Sequence, residues 1–212
     1  MICVKVFPTN CPKTMISFDL PSVTQLVAHR RSIKPVDMDA ARPVSKELLE
    51  ELVECANWAP SHGLTEPLRL HTFYGDAREK FAHNLQQSYK AETPEAEFKQ
   101  EKFDKMGKNV ILSHSIMAIV MKRGSNPKIP VIEEVQAVAC AIQNMHLAAS
   151  AVGLGLYWSS PAVSYGEGFK KFLELGEEDQ CLGFLFIGWP KEGFEWPESR
   201  RSSAAEKIIW NE

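Results

Sequence analysis

Apolar residues return every third or fourth position through Leu48, Leu49, Leu52, Val53 and Ala56, which predicts a helix, and Ser45 stands where an N-cap belongs. An earlier short helix is expected from Pro21 and Ser22 through Leu26, Val27 and Arg31, with Pro35 preventing its continuation. Leu68 to Tyr74 alternates as a strand does, and Gly75-Asp76 opens a helix carrying Phe81, Leu85 and Tyr89 on one face. From Ala91 to Lys108 the chain is highly charged, with Phe98, Phe103 and Met106 as a thin apolar stripe, so a peripheral, solvated helical excursion is predicted. Ser115 to Met121 and Cys181 to Gly188 are continuous apolar runs of strand length between breakers. A further short strand is expected from Leu156 to Ser159, and a helix from Tyr165 to Leu175.

The longest predicted helix runs from Val131 to Val152. Val131, Val135, Val138, Ile142, Met145, Ala149 and Val152 are spaced alternately by four and three, a seam suited to packing on another helix. Ala139, Cys140, Ala141 and Leu147 make its other faces apolar too, so burial is expected on several sides, within a domain or across a subunit interface. Gly153 and Gly155 stop it. The tail beyond Trp189 reads as loop but ends in Ile208, Ile209 and Trp210, an apolar terminus that calls for a docking surface.

Length and charge narrow the classes. At 212 residues one core is expected, with residues 1–17 as an extension and 18–212 as the domain. A net charge of −3 opposes a dedicated nucleic-acid binder, which needs a basic face. Polar residues interrupt every apolar run before the ~18 residues a membrane span requires. Five cysteines (Cys3, Cys11, Cys55, Cys140 and Cys181) fall without a C-x-x-C pair, which points to a reducing, cytoplasmic setting rather than a disulfide framework. No two of the six histidines stand four apart, so no metal site is expected.

The G-x-S-x-G elbow, the G-x-x-x-x-G-K-[ST] loop and H-E-x-x-H are all absent, and Gly153-Leu-Gly155 follows a helix rather than a strand, as a helix stop does. Two segments invite chemistry. Arg30-Arg31-Ser32 ends the first helix, where the dipole repels anions, so any anion there must be gripped by guanidinium forks; a merely cationic helix C-terminus is the plain alternative. Ala59-Pro60-Ser61-His62-Gly63-Leu64-Thr65-Glu66-Pro67 puts a histidine and a carboxylate in a loop between helix and strand, where ligand groups concentrate, although two prolines alone would also set a structural turn.

In order, Arg30-Arg31-Ser32-Ile33, the A-P-S-H-G-L-T-E-P loop, Gly153-Leu-Gly-Leu-Tyr-Trp158-Ser159-Ser160 and Gly183-Phe-Leu-Phe-Ile-Gly188-Trp-Pro190 resemble the nitroreductase family, over roughly Phe18 to Trp210. The likeness is closest to its small, single-domain branch with a histidine in the A-P-x-H loop. It implies an α+β fold with a central mixed, largely antiparallel sheet flanked by helices. It also implies an intertwined homodimer with FMN at the interface and Val131 to Val152 as the central dimer helix.

The same resemblance gives site residues their expected roles. Arg30, Arg31 and Ser32 would grip the flavin's phosphate and ribityl chain, with Arg200 or Arg201 completing the clamp. His62, Leu64 and Glu66 would reach the flavin of the other subunit, and the main chain of Trp158, Ser159 and Ser160 would pass along the ring. The implied activity takes a hydride from NAD(P)H and gives it to an electron-poor small molecule such as a nitroaromatic or quinone. No side chain is required as a nucleophile, and His62 is the candidate proton donor or hydrogen-bond partner. Two departures bear on the acceptor: Glu66 stands where many relatives have glutamine, and Leu68 where many have tryptophan. Two other readings remain open: a flavin-dependent desaturase or flavin-degrading enzyme of the same fold, and a non-catalytic flavin-binding module.

Overall fold

The computed structural model describes residues 17–211, so nearly all of the predicted N-terminal extension lies outside the described residues. Six helices are described, α1 (Leu20–His29), α2 (Lys46–Asn57), α3 (Ala77–Glu92), α4 (Gln100–Ile111), α5 (Val131–Ala151) and α6 (Glu167–Phe172). They surround strands β1 (Met38–Asp39), β2 (Leu68–Tyr74), β3 (Ser115–Met121), β4 (Gly155–Ser159) and β5 (Gln180–Pro190). The chain is therefore α+β.

The sheet runs β1-β5-β3-β2, with β4 also paired to β5, and every ladder is antiparallel. The expected mixed character survives only as an isolated parallel bridge between Ser32 and Leu156. Strand β5 lies between β3 on one edge and β4 with β1 on the other, which accounts for its unbroken apolar run.

Period-two alternation divides that run between two cores. Met117, Ile119, Leu185 and Ile187 face Leu49 and Leu52 of α2 and Val138, Ile142, Met145 and Ala149 of α5. Ile116, Ala118, Phe184 and Phe186 face Phe81, Leu85 and Tyr89 of α3, Val110 of α4 and Phe169 of α6.

Several expectations need correction, though not the seam of α5, whose central positions fill the core of its own chain against α2 and the sheet. What α5 leaves exposed is a different stripe, Ile132, Gln136, Cys140 and Gln143. The charged segment from Ala91 to Lys108 is less peripheral than predicted, because Phe98, Phe103 and Met106 pack onto the α3 core. The helix expected from Tyr165 to Leu175 is broken at Gly166, whose extended backbone separates a 3-10 turn from α6. The apolar terminus is not docked on its own chain, with Ile209 85% and Trp210 80% exposed.

Candidate functional site

Arginine gathers where α1 ends. Glycine makes the approach possible: a Cβ at Gly155 would stand 2.9 Å from both the Gly188 carbonyl and Ile33 Cβ, so only glycine lets the segment after α1 lie against β4 and β5. The Ile33 N–H donates to the Leu156 carbonyl at 3.0 Å and fixes the register. Arg30 is half-buried there, and burial first, then the charges of Arg201 and Arg31, holds its pKa below the usual arginine value.

Among the described residues none of these three guanidinium groups has a carboxylate partner. Arg31 is largely spent on main chain, its Nε donating to Pro197 O at 2.6 Å and its Nη1 to Ala28 O and Arg30 O. Among the described residues the Arg30 guanidinium has no such partner. Of the two tail arginines, Arg201 is the one whose charge bears on Arg30. Ser32 is exposed beside them.

Below this cluster lies His146 of α5, 6% exposed, with burial first and Arg30 second lowering its pKa to about 4. Its Nδ1 and the Oγ of Ser150, one turn on, are buried without a partner. Sequence reasoning passed over His146 because it fell inside an apolar helix; a lone histidine among such positions was the available signal.

The A-P-S-H loop lies elsewhere. Gly63, Leu64 and Glu66 have φ of 59°, 54° and 44°, and two of these are not glycine. Such left-handed residues cost of order 1 kcal/mol or more each and gather where a surface must be shaped. Ser61 Oγ accepts from the Glu66 N–H at 3.2 Å, tightening the turn. His62 Nδ1 meets the Glu133 carboxylate, while the next residue, Glu134, is buried and paired to Arg123 at 2.6 Å and to the Gly124 N–H at 3.0 Å. The chain from Lys122 to the start of α5 is thereby pinned beside the loop. Leu64 is 82% exposed, and Glu66 and Leu68 line a cleft of about 750 Å³ with Ser61, Leu49, Val53 and Met117.

The Trp158 indole N–H and the Ser160 hydroxyl both donate to the Leu182 carbonyl, at 3.0 and 2.8 Å. Gly183 permits this crossing, at φ 122° with no room for a Cβ beside Ser159 O. Those two donors are spent on the sheet, which leaves the main chain and the half-buried Ser159 side chain to meet a ligand.

The two halves of the expected site do not meet within one chain. Glu133, which holds His62, and His146, beneath Arg30, are thirteen residues apart on α5, about 20 Å along the axis. The described residues hold no cluster of metal ligands, and no described helix is long and apolar enough to cross a membrane.

An antiparallel sheet carrying helices on both faces, with arginines gathered where α1 ends, defines an α+β protein. Residues 27–189 match the Nitroreductase family, and the chain belongs to that family. It is 28% identical over 167 residues to "Putative NAD(P)H nitroreductase YdjA" of Escherichia coli strain K12, covering 79% of this chain and 87% of that one. YfhC of Bacillus subtilis strain 168, which carries the same description, is 23% identical over 172 residues, covering 80% and 85%. A nitroreductase-like family protein of Bacillus cereus superposes with a TM-score of 0.75 at 26% identity, covering 94% of this chain and all of that one. A Desulfovibrio desulfuricans protein crystallised in complex with FMN superposes at 0.66 and 23% identity, covering 90% and 96%.

Proposed function

We propose that this chain is an FMN-dependent oxidoreductase that passes a hydride from NAD(P)H to an electron-poor acceptor such as a nitroaromatic or quinone. The observation that carries the reading is the group of three guanidiniums without a counter-ion. Like charges held together in a half-buried place repel one another, and a phosphate dianion relieves that repulsion. The residues present therefore suit a phosphorylated flavin, and the family's named NAD(P)H nitroreductases and FMN complex support it.

Arg30 and Arg201 would hold the phosphate, with Ser32 beside them, and Arg31 would order the segment through its bonds to main-chain carbonyls. The flavin, when bound, supplies the hydride chemistry that no side chain here provides. The main chain of Trp158, Ser159 and Ser160 would offer hydrogen bonds, the Trp158 and Ser160 side chains being turned to the Leu182 carbonyl. His62, Leu64 and Glu66 act from the other end of α5 and would serve the flavin of a second subunit, the arrangement that the ~20 Å separation favours. Leu68 leaves room in the cleft where an indole would fill it, and the Glu66 carboxylate disfavours anionic acceptors by repulsion. The exposed stripe of α5, the apolar α1 and the undocked terminus are surfaces that a homodimer would cover. Free thiols at Cys55, Cys140 and Cys181 suit a cytoplasmic protein.

Anaerobic mixing of the purified, flavin-loaded protein with NADPH and with NADH tests the activity. Bleaching of the flavin followed by recovery on adding a quinone or nitroaromatic is expected. A flavin that neither nicotinamide bleaches would favour a nicotinamide-independent desaturase or flavin-degrading enzyme, and one that no reductant pair turns over would favour a binding module.

A further inference from the structure

Beyond β5 the chain has no regular structure until the 3-10 turn Ala204–Lys207, yet it is gripped at the end of α1. Trp196 lies flat on His29, with ring centroids 4.7 Å apart and planes within 3°. Its indole N–H donates to the His29 carbonyl at 2.7 Å, and the next residue, Pro197, accepts from Arg31 Nε at 2.6 Å. Phe194 meets Trp196 edge-on at 6.2 Å. His29 is the last residue of α1, and its carbonyl is one of the four that a helix end leaves without an internal partner. The tail's indole supplies the missing donor.

The grip lies immediately beside the arginine cluster. Arg201 follows Pro197 by four residues, a span of at most ~14 Å. Its own hydrogen bonds run only to Ser199 Oγ and the Arg200 carbonyl, both within the tail. Nothing local to Arg201 ties it to the body of the chain. Ordering a free segment on binding costs conformational entropy at every residue, so a tail already fixed upstream presents its guanidinium at a smaller loss.

We propose that Trp196, stacked on His29, is a positioning residue that holds Arg201 beside Arg30 and thereby sets the preference for a phosphorylated flavin over its dephosphorylated form. The inference rests on the flavin reading above. It assigns Trp196 no contact with the ligand, and it predicts an effect confined to the phosphate.

The test is the affinity of the full-length, flavin-free chain for FMN and for riboflavin, each read from quenching of flavin fluorescence. Trp196→Ala should weaken FMN roughly tenfold, about the loss of one charge-assisted contact, and leave riboflavin unchanged. Trp196→Phe, which keeps a ring but no N–H, should fall between. Arg201→Ala should match Trp196→Ala, and the double variant should lose no more than either alone. Equal weakening of both flavins by Trp196→Ala, or an unchanged FMN to riboflavin ratio, would overturn the proposal while leaving the cofactor assignment intact. An unsubstituted chain that binds the two flavins equally would overturn both.

Discussion

Glu133, in the first turn of α5, accepts a hydrogen bond from Nδ1 of His62, 71 residues away along the chain. A carboxylate at the third helical position is well placed against the dipole, yet this one forms no cap and reaches for the loop instead. A hydrogen bond at Nδ1 selects the tautomer and leaves Nε2 as the ring's other polar atom.

If His62 protonates or hydrogen-bonds the acceptor, both His62→Gln and Glu133→Gln should slow acceptor reduction by roughly tenfold or more while flavin reduction by NADPH keeps its rate. Stopped-flow measurement of the two half-reactions separates these effects. Equal slowing of both halves would make the pair a support for the cofactor instead.

The arginines are not equivalent. Arg30→Ala and Arg201→Ala should each weaken FMN binding by ~1.5–3 kcal/mol, roughly ten- to a hundredfold, whereas Arg200→Ala should change little. Calorimetric titration with FMN decides it, and an Arg200→Ala loss as large as that of Arg201→Ala would overturn the choice of Arg201.

His146 ties stability to pH. Its folded value of about 4 lies below the ordinary 6.5, so between these values the unfolded chain binds the proton first and stability falls as pH falls. Above pH 6.5 neither state is protonated and no loss occurs. The full drop is roughly 3 kcal/mol, complete near pH 4. Denaturant unfolding across that window should show the slope, and His146→Gln should flatten it. A saturating phosphate ligand beside Arg30 should narrow the window, because added negative charge favours the imidazolium.

The exposed stripe of α5 gives the proposed homodimer its sharpest test. Substituting Ile132→Glu together with Cys140→Glu places charge on the face that the chain's own core leaves open, and should dissociate the protein and release FMN together. Sedimentation at micromolar concentration reads the first and flavin absorbance the second. A stable, FMN-saturated monomer of the unsubstituted chain would remove the interface from the site.

The elements that the sequence determined are those decided by neighbours. Leu68–Tyr74 and Ser115–Met121 are strands as expected, and Ser45 Oγ caps α2 by accepting the Leu48 N–H at 3.1 Å, because alternation, breakers and capping act within a few residues. The family, too, was legible, since four motifs kept their order. Tertiary structure decided what periodicity leaves open. A seam of apolar residues on α5 says that something packs there, and only the folded chain shows it to be α2 and the sheet. Whether Arg200 or Arg201 nears Arg30, whether Trp158 and Ser160 have side chains to spare, and which carboxylate meets His62 all depend on groups far apart in the chain. Trp196 and His29 are 167 residues apart, and no local pattern encodes a contact made by closure of the whole fold.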